Sequence, residues 1–198
     1  MPTQISSGTD REAGKTIFNV PNQLTALRLL LSIVLFFLVS WQFYLAAFFL
    51  FILAVSTDWI DGYWARKFDQ ITQVGRVIDP FVDKIIICGA FIFLVAEKNS
   101  GIAAWMAVMV VGRELLVTAI RGHLEQQGTD FSAKFSGKLK MVLQSVAVSA
   151  SLLVLGIGPD TAPAWTTWTR DIFIWLAIFS TIHSGADYVI RAVRFLRN

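Results

Sequence analysis

The sequence predicts an all-α integral membrane fold of six transmembrane helices, and three observations predict it. Of 198 residues, 55% are apolar and only 16% charged, against roughly 45–50% and 25% in soluble domains. The apolar residues fall in long runs, and about 20 such residues cross the roughly 30 Å of a bilayer core. Basic residues gather in alternate connections between the runs, as they do where cytoplasmic loops carry the positive charge.

Taken in order, residues 1–21 are polar and hold Asp10, Arg11, Glu12 and Lys15. They lack the apolar core and small-residue cleavage site of a secretory signal. They are expected to stay on the mature protein as a cytoplasmic N-terminal segment to one membrane domain at 22–198. From Leu29 to Thr57 the chain is nearly uncharged, and as one helix it would be about 43 Å long, too long for one bilayer core. A break at Ser40-Trp41-Gln42 resolves this into spans at 23–40 and 43–61, with Arg28 and Asp58 on the same side.

Four further spans are predicted at 76–96, 102–122, 136–157 and 172–191, separated by loops at 97–101, 126–134 and 158–170. An even number of spans returns both termini to one side. That side collects Arg11, Lys15, Arg28, Arg66, Lys67, Arg76, Arg121, Lys134, Lys138, Lys140, Arg191, Arg194 and Arg197, whereas the other loops hold only Lys98 and Arg170. The termini are therefore expected in the cytoplasm. Trp41, Trp105, Trp165 and Trp168 fall near the opposite interface, where amphipathic rings anchor.

Composition excludes other classes. Seventeen Lys and Arg against 14 Asp and Glu leave a net charge of +3, too small and scattered for a nucleic-acid partner. The single cysteine, Cys88, lies in an apolar run, so no intrachain disulfide exists and it reads as a small buried residue.

The chemistry is concentrated where charge is costly. The chain reads Asp58-x2-Asp61-Gly62-x2-Ala65-Arg66, then eight residues, then Gly75-x3-Asp79-x3-Asp83. On helices, Asp58 and Asp61 are i,i+3 and Asp79 and Asp83 are i,i+4, so each pair shares a face. The pairs end one span and begin the next across a short loop, which lets them converge. Four close carboxylates need compensating charge. Oxygen-only ligands without His or Cys select hard Mg²⁺ or Mn²⁺ rather than zinc. With small residues at Gly62 and Ala65 and a guanidinium at Arg66, the pattern describes a polar metal-containing cavity at the cytoplasmic side, fit for a metal-bound diphosphate. The plainer reading makes these acids hydrated interfacial residues paired with Arg66, Arg76 and Lys84.

The string Asp-x2-Asp-Gly-x2-Ala-Arg-x8-Gly-x3-Asp-x3-Asp resembles the signature of the CDP-alcohol phosphotransferase family, with every fixed position and both gaps satisfied over 58–83. The resemblance implies a six-helix membrane enzyme, usually a homodimer. It would transfer a phosphatidyl or similar group from a CDP-linked donor to an alcohol and release CMP. Asn22-Gln-Leu-Thr25-x2-Arg28, Asp79-Pro80, Asp83-Lys84, Gly112-Arg113-Glu114, Arg121 and Gly137-Lys138-Leu-Lys140 are similar to the phosphatidylglycerophosphate synthase branch, from which Phe81-Val82 and Met141 depart. That branch implies CDP-diacylglycerol and sn-glycerol 3-phosphate as substrates.

A phosphate-bearing acceptor also suits the residues. Arg113 lies about 13 Å inside its span, where an unpaired guanidinium is costly and should face a cavity. Arg121 projects within roughly 80° of it, and Lys134 and Lys138 share a face if helical. The competing readings are an ion pair of Arg113 with Glu114, and headgroup snorkelling for Lys134, Lys138 and Lys140. His183, Asp187 and Arg191 in the last span read as a structural polar patch, and His123 as solvated.

On this reading Asp58, Asp61, Asp79 and Asp83 hold two Mg²⁺ or Mn²⁺ ions on the donor diphosphate. Arg66 assists, and Gly62, Ala65 and Gly75 leave room for the nucleotide. Arg113, Arg121 and Lys138 bind the acceptor phosphate, and Asp83, matching the family's proposed base, takes the hydroxyl proton. The chain is expected in the plasma membrane, the inner membrane of a bacterium, with the site cytoplasmic. Two alternatives stand: the same chemistry with inositol phosphate, phosphatidylglycerol or serine as acceptor, and a cation transporter in which the four acids form the transport site.

Overall fold

The computed structural model describes the backbone of residues 20–68, 73–126 and 135–196; within these, the side chains at 20–22, 24, 58–68, 73–80, 83, 123, 125, 126, 135, 136 and 196 lie outside the described set. Six helices follow one another: α1 (Val20–Ser40), α2 (Tyr44–Phe68), α3 (Gln73–Ala96), α4 (Ala104–Gln126), α5 (Phe135–Ile157) and α6 (Ala164–Leu196). Among the described residues there is no strand.

The expected break between the first two helices falls where the sequence placed it. α1 closes with the Phe43 amide on the Leu38 carbonyl at 2.8 Å and the Gln42 amide on the Val39 carbonyl at 2.9 Å. Gln42 takes φ 63°. This is the Schellman arrangement, with glutamine in the left-handed position that glycine usually fills. The polar Trp41-Gln42 step thus turns the chain through a hydrogen-bonded cap.

Elsewhere the helices outrun the predicted spans. α6 begins at Ala164, not 172, so the expected loop to Arg170 is corrected to a short connection ending at Pro163. Its first turns hold Thr166, Thr167 and Thr169, whose hydroxyls can compete with helical backbone bonds. Their hydroxyls instead donate to carbonyls a turn back: Thr166 to Pro163 at 2.6 Å, Thr167 to Ala164 at 2.8 Å and Thr169 to Trp165 at 2.7 Å. This satisfies them without leaving the helix, and a proline beside the first turn is well tolerated there. α2 likewise continues past 61 to Phe68, and α3 starts at Gln73 rather than 76.

α1 lies against both α2 and α3; α5 packs on α2 and most extensively on α6; α4 bridges α3 and α6. Leu35, Phe51, Phe91, Leu94, Ala147, Leu152 and Ile178 lie in the apolar centre. The start of α2 and the end of α5 approach closely at Gly156. A Cβ there would lie 2.7 Å from the Leu45 side chain and 3.0 Å from its backbone nitrogen.

Outside, the surface is apolar. Leu30 and Phe37, Phe49 and Leu53, Phe81 and Ile92, Val108 and Leu115, Val142, and Trp175 and Phe179 expose large side chains from all six helices. Inside are Ser32, Glu114, Lys140, Gln144, Ser151, Thr181 and Ser184. Soluble monomers do not expose so much apolar surface while burying polar side chains beside the core, whereas helices packed in lipid do. The hydroxyls of Ser32, Ser151 and Thr181 bond the carbonyl four residues back, which keeps them satisfied without water. The stretches Gly137–Ile157 and Ala164–Phe195 are long and apolar enough to cross a membrane, and Thr25–Ser40, Tyr44–Thr57 and Lys84–Ala96 are shorter apolar segments. Trp41, Trp105, Trp165 and Trp168, the predicted interfacial anchors, are all exposed.

Candidate active site

Asp58, Asp61, Gly62, Ala65 and Arg66 all fall within α2, and Gly75, Asp79 and Asp83 within α3. Unbroken helix through both stretches keeps the i,i+3 and i,i+4 spacings real: each pair lies on one face, about 4.5 Å and 6 Å apart along its axis. Both helices share α1 as a packing partner. The side chains of these eight residues lie outside the described set, and so does their expected convergence. Among the described residues no three His, Cys, Asp or Glu form a metal cluster, and the four aspartates are not among them. As a donor set they offer only carboxylate oxygens, which fits hard divalent cations.

Just beyond Pro80 the described side chains resume. Val82 is fully buried and Phe81 is exposed, so α3 turns its 82, 86 and 90 positions inward, with Ile86 and Ala90 buried in the core. A cavity of about 560 Å³ lined by Glu97, Asn99, Gly101, Asp160, Thr167 and Arg170 opens at the other end of α3. It lies about 20 Å along the helix from Asp83, too far to belong to the aspartate chemistry.

The described charge is concentrated between α4, α5 and α6. Glu114, 8% exposed, is held by two cations. Arg113 Nη1 donates to its Oε1 at 3.1 Å, and Lys140 Nζ donates to the same oxygen. Arg113 Nη2 donates to Ser184 Oγ, its guanidinium carbon sits 5.6 Å from the Tyr188 ring centroid, and its stem passes Gly185 with Cγ 3.1 Å from where a Cβ would stand. The Arg113 Nε is buried without a hydrogen-bond partner. One turn deeper, Gln144 donates to Thr181 at 2.9 Å. Buried charge in an apolar surround demands such pairing.

These contacts sort the predicted acceptor residues. Arg113 does make the competing ion pair with Glu114, yet it keeps a free N–H. Arg121 is half-buried two turns further along α4, and Lys138 is exposed. Lys134 lies outside the described residues, as does the side chain of His123. Snorkelling is corrected for Lys140: it is 5% exposed and bridged to Glu114. Sequence reading passed over Lys140, Ser184, Tyr188 and Gln144 as partners. The available signal was Glu114 itself, an acid within an apolar run, where a carboxylate calls for buried polar partners. Of the expected polar patch on the last helix, Arg191 and Asp187 do pair, Nε donating at 3.0 Å, whereas His183 is exposed.

The family model described as CDP-alcohol phosphatidyltransferase matches residues 18–183, a stretch containing all four aspartates, Arg113, Glu114 and Lys140. A Bacillus subtilis (strain 168) protein named CDP-diacylglycerol–glycerol-3-phosphate 3-phosphatidyltransferase is 34% identical over 187 residues, 87% of this chain and 94% of the relative. Proteins of the same name from Pseudomonas fluorescens and Escherichia coli (strain K12) are 35% and 30% identical, covering 81% and 79% of this chain and 82% and 81% of their own lengths. The chain belongs to the CDP-alcohol phosphatidyltransferase family.

Proposed function

We propose that the chain transfers the phosphatidyl group of CDP-diacylglycerol to the C1 hydroxyl of sn-glycerol 3-phosphate, giving phosphatidylglycerophosphate and CMP. The observation that carries this reading is the complete eight-position pattern over Asp58–Asp83, set on two consecutive helices. The names of the relatives support the choice of donor and acceptor.

Asp58, Asp61, Asp79 and Asp83 would hold two Mg²⁺ or Mn²⁺ ions. When bound, such ions neutralise a diphosphate and stabilise charge on a departing phosphate oxygen. Arg66 adds a guanidinium for the donor phosphates, and Gly62, Ala65 and Gly75 admit the nucleotide. Arg113, Arg121 and Lys138 bind the acceptor phosphate. Asp83 takes the proton from the C1 hydroxyl as its oxygen bonds to the phosphorus bearing diacylglycerol. The bond from that phosphorus to the bridging oxygen breaks, and CMP leaves with the electron pair.

We assign all six helices to membrane spans, with both termini and the aspartates on the cytoplasmic side of a plasma membrane and with a homodimer as the working unit. The exposed apolar side chains on every helix support the spans, and the one-sided distribution of Lys and Arg supports the orientation.

The test is product identification with detergent-purified full-length protein, labelled CDP-diacylglycerol and Mg²⁺, offering glycerol 3-phosphate, inositol phosphate, serine and phosphatidylglycerol in parallel. Phosphatidylglycerophosphate formed from glycerol 3-phosphate alone is the expected result. Selective use of another acceptor overturns the substrate reading, and no product with any acceptor overturns the transfer itself.

A further inference from the structure

We propose that Lys140 is a positioning residue for the acceptor site, acting on Arg113 through Glu114. The inference rests on the reading above that Arg113 meets the acceptor phosphate. A lone Arg113–Glu114 pair would be neutral and of little use to a phosphate. Lys140 on the same carboxylate oxygen changes that balance: two cations on one carboxylate leave a net charge of about +1 within a low-dielectric interior. The same contacts fix direction. Glu114 takes Nη1, Ser184 takes Nη2, and the Tyr188 ring covers the guanidinium, leaving Nε as a buried guanidinium nitrogen with no hydrogen-bond partner. The Arg113 side chain is 9% exposed, so this N–H is an unmet donor in a place where unmet donors are costly. A phosphate oxygen is the partner such a donor calls for. Lys140, 6% exposed and reaching across from α5, has the Glu114 carboxylate as its ion-pair partner. It serves the ligand only through its neighbour.

Steady-state kinetics of the full-length enzyme test this, with KM for glycerol 3-phosphate and KM for CDP-diacylglycerol measured separately. Lys140→Met leaves Glu114 to cancel Arg113. It is expected to raise KM for glycerol 3-phosphate about tenfold or more while KM for CDP-diacylglycerol stays unchanged, a change in acceptor binding alone. Lys140→Arg restores the acceptor KM to within about threefold of wild type. The double variant Lys140→Met/Glu114→Gln removes both charges, keeps an oxygen for Arg113 Nη1, and is expected to recover acceptor affinity relative to Lys140→Met. A merely structural role predicts no such recovery. If Lys140→Met does not fold, the double variant and Lys140→Arg carry the test, both within about threefold of wild-type acceptor KM. The proposal is overturned if Lys140→Met lowers kcat with both KM values unchanged, or if the double variant binds acceptor no better than the single one. Arg113→Lys separates the underlying reading: an unchanged acceptor KM in that variant removes Arg113 from the acceptor site, whereas a raised KM there with no effect of Lys140→Met removes only the role of Lys140.

Discussion

Lys140 on α5 and Glu114 on α4, 26 residues apart in sequence, form a salt bridge whose side chains are 6% and 10% exposed. Arg113 meets the same carboxylate oxygen, so one acid ties together two cations from different helices, and Arg113 extends the tie to Ser184 on α6. Removing the acid strands both charges. Glu114→Ala is expected to lower stability by about 3–5 kcal/mol, seen as a large drop in the unfolding transition of the purified protein. A change under about 0.5 kcal/mol, the size of an ordinary surface substitution, would mean the network contributes nothing to the fold.

The cap between α1 and α2 makes the opposite prediction. Gln42 holds φ 63°, a conformation that costs a side-chain-bearing residue and suits glycine. Gln42→Gly is expected to stabilise the protein by about 0.5–1 kcal/mol. Thermal unfolding followed by circular dichroism reads the sign, and a lower transition temperature would count against the left-handed cap.

Gly156 is constrained by its neighbour instead. Its Cβ would meet backbone as well as the side chain of Leu45, and backbone cannot step aside as a flexible side chain can. Gly156→Ala is expected to cost about 1–3 kcal/mol, through separation of α2 from α5. Unchanged thermal stability would show that this approach is not tight.

Much of this was legible in the sequence, for definite reasons. Apolar run length located six helices, and the Ser40-Trp41-Gln42 break was visible because a single 29–57 helix could not fit a bilayer. The helix ends were harder to see. Residues 164–170 look like loop by composition, and only the hydroxyl-to-carbonyl bonds of Thr166, Thr167 and Thr169 explain why they coil. The aspartate pattern stands out in the sequence because four carboxylates bound two long apolar runs, where charge is costly. The role of Lys140 was hidden, since a lysine near a span's end reads equally well as a snorkelling residue, and only helix packing decides that it turns inward.

Orientation is open to direct chemistry. Lys98 and Lys138 are both exposed, and the charge distribution assigns them to opposite sides. In a Cys88→Ser background, Lys98→Cys is expected to react with a membrane-impermeant maleimide on intact cells, and Lys138→Cys only after permeabilisation. The reverse pattern would invert the topology, and labelling of both on intact cells would break the even-span count.

CMP release reads out metal-dependent phosphatidyl transfer at the four aspartates. Purified wild-type protein with CDP-diacylglycerol and glycerol 3-phosphate should release CMP with Mg²⁺ or Mn²⁺, and stop on addition of EDTA. Asp83→Asn, still folded by circular dichroism, should lose about 10²–10⁴-fold in kcat. CMP release that persists in EDTA would rule out metal-dependent transfer, and an Asp83→Asn enzyme as fast as wild type would remove Asp83 from the chemistry.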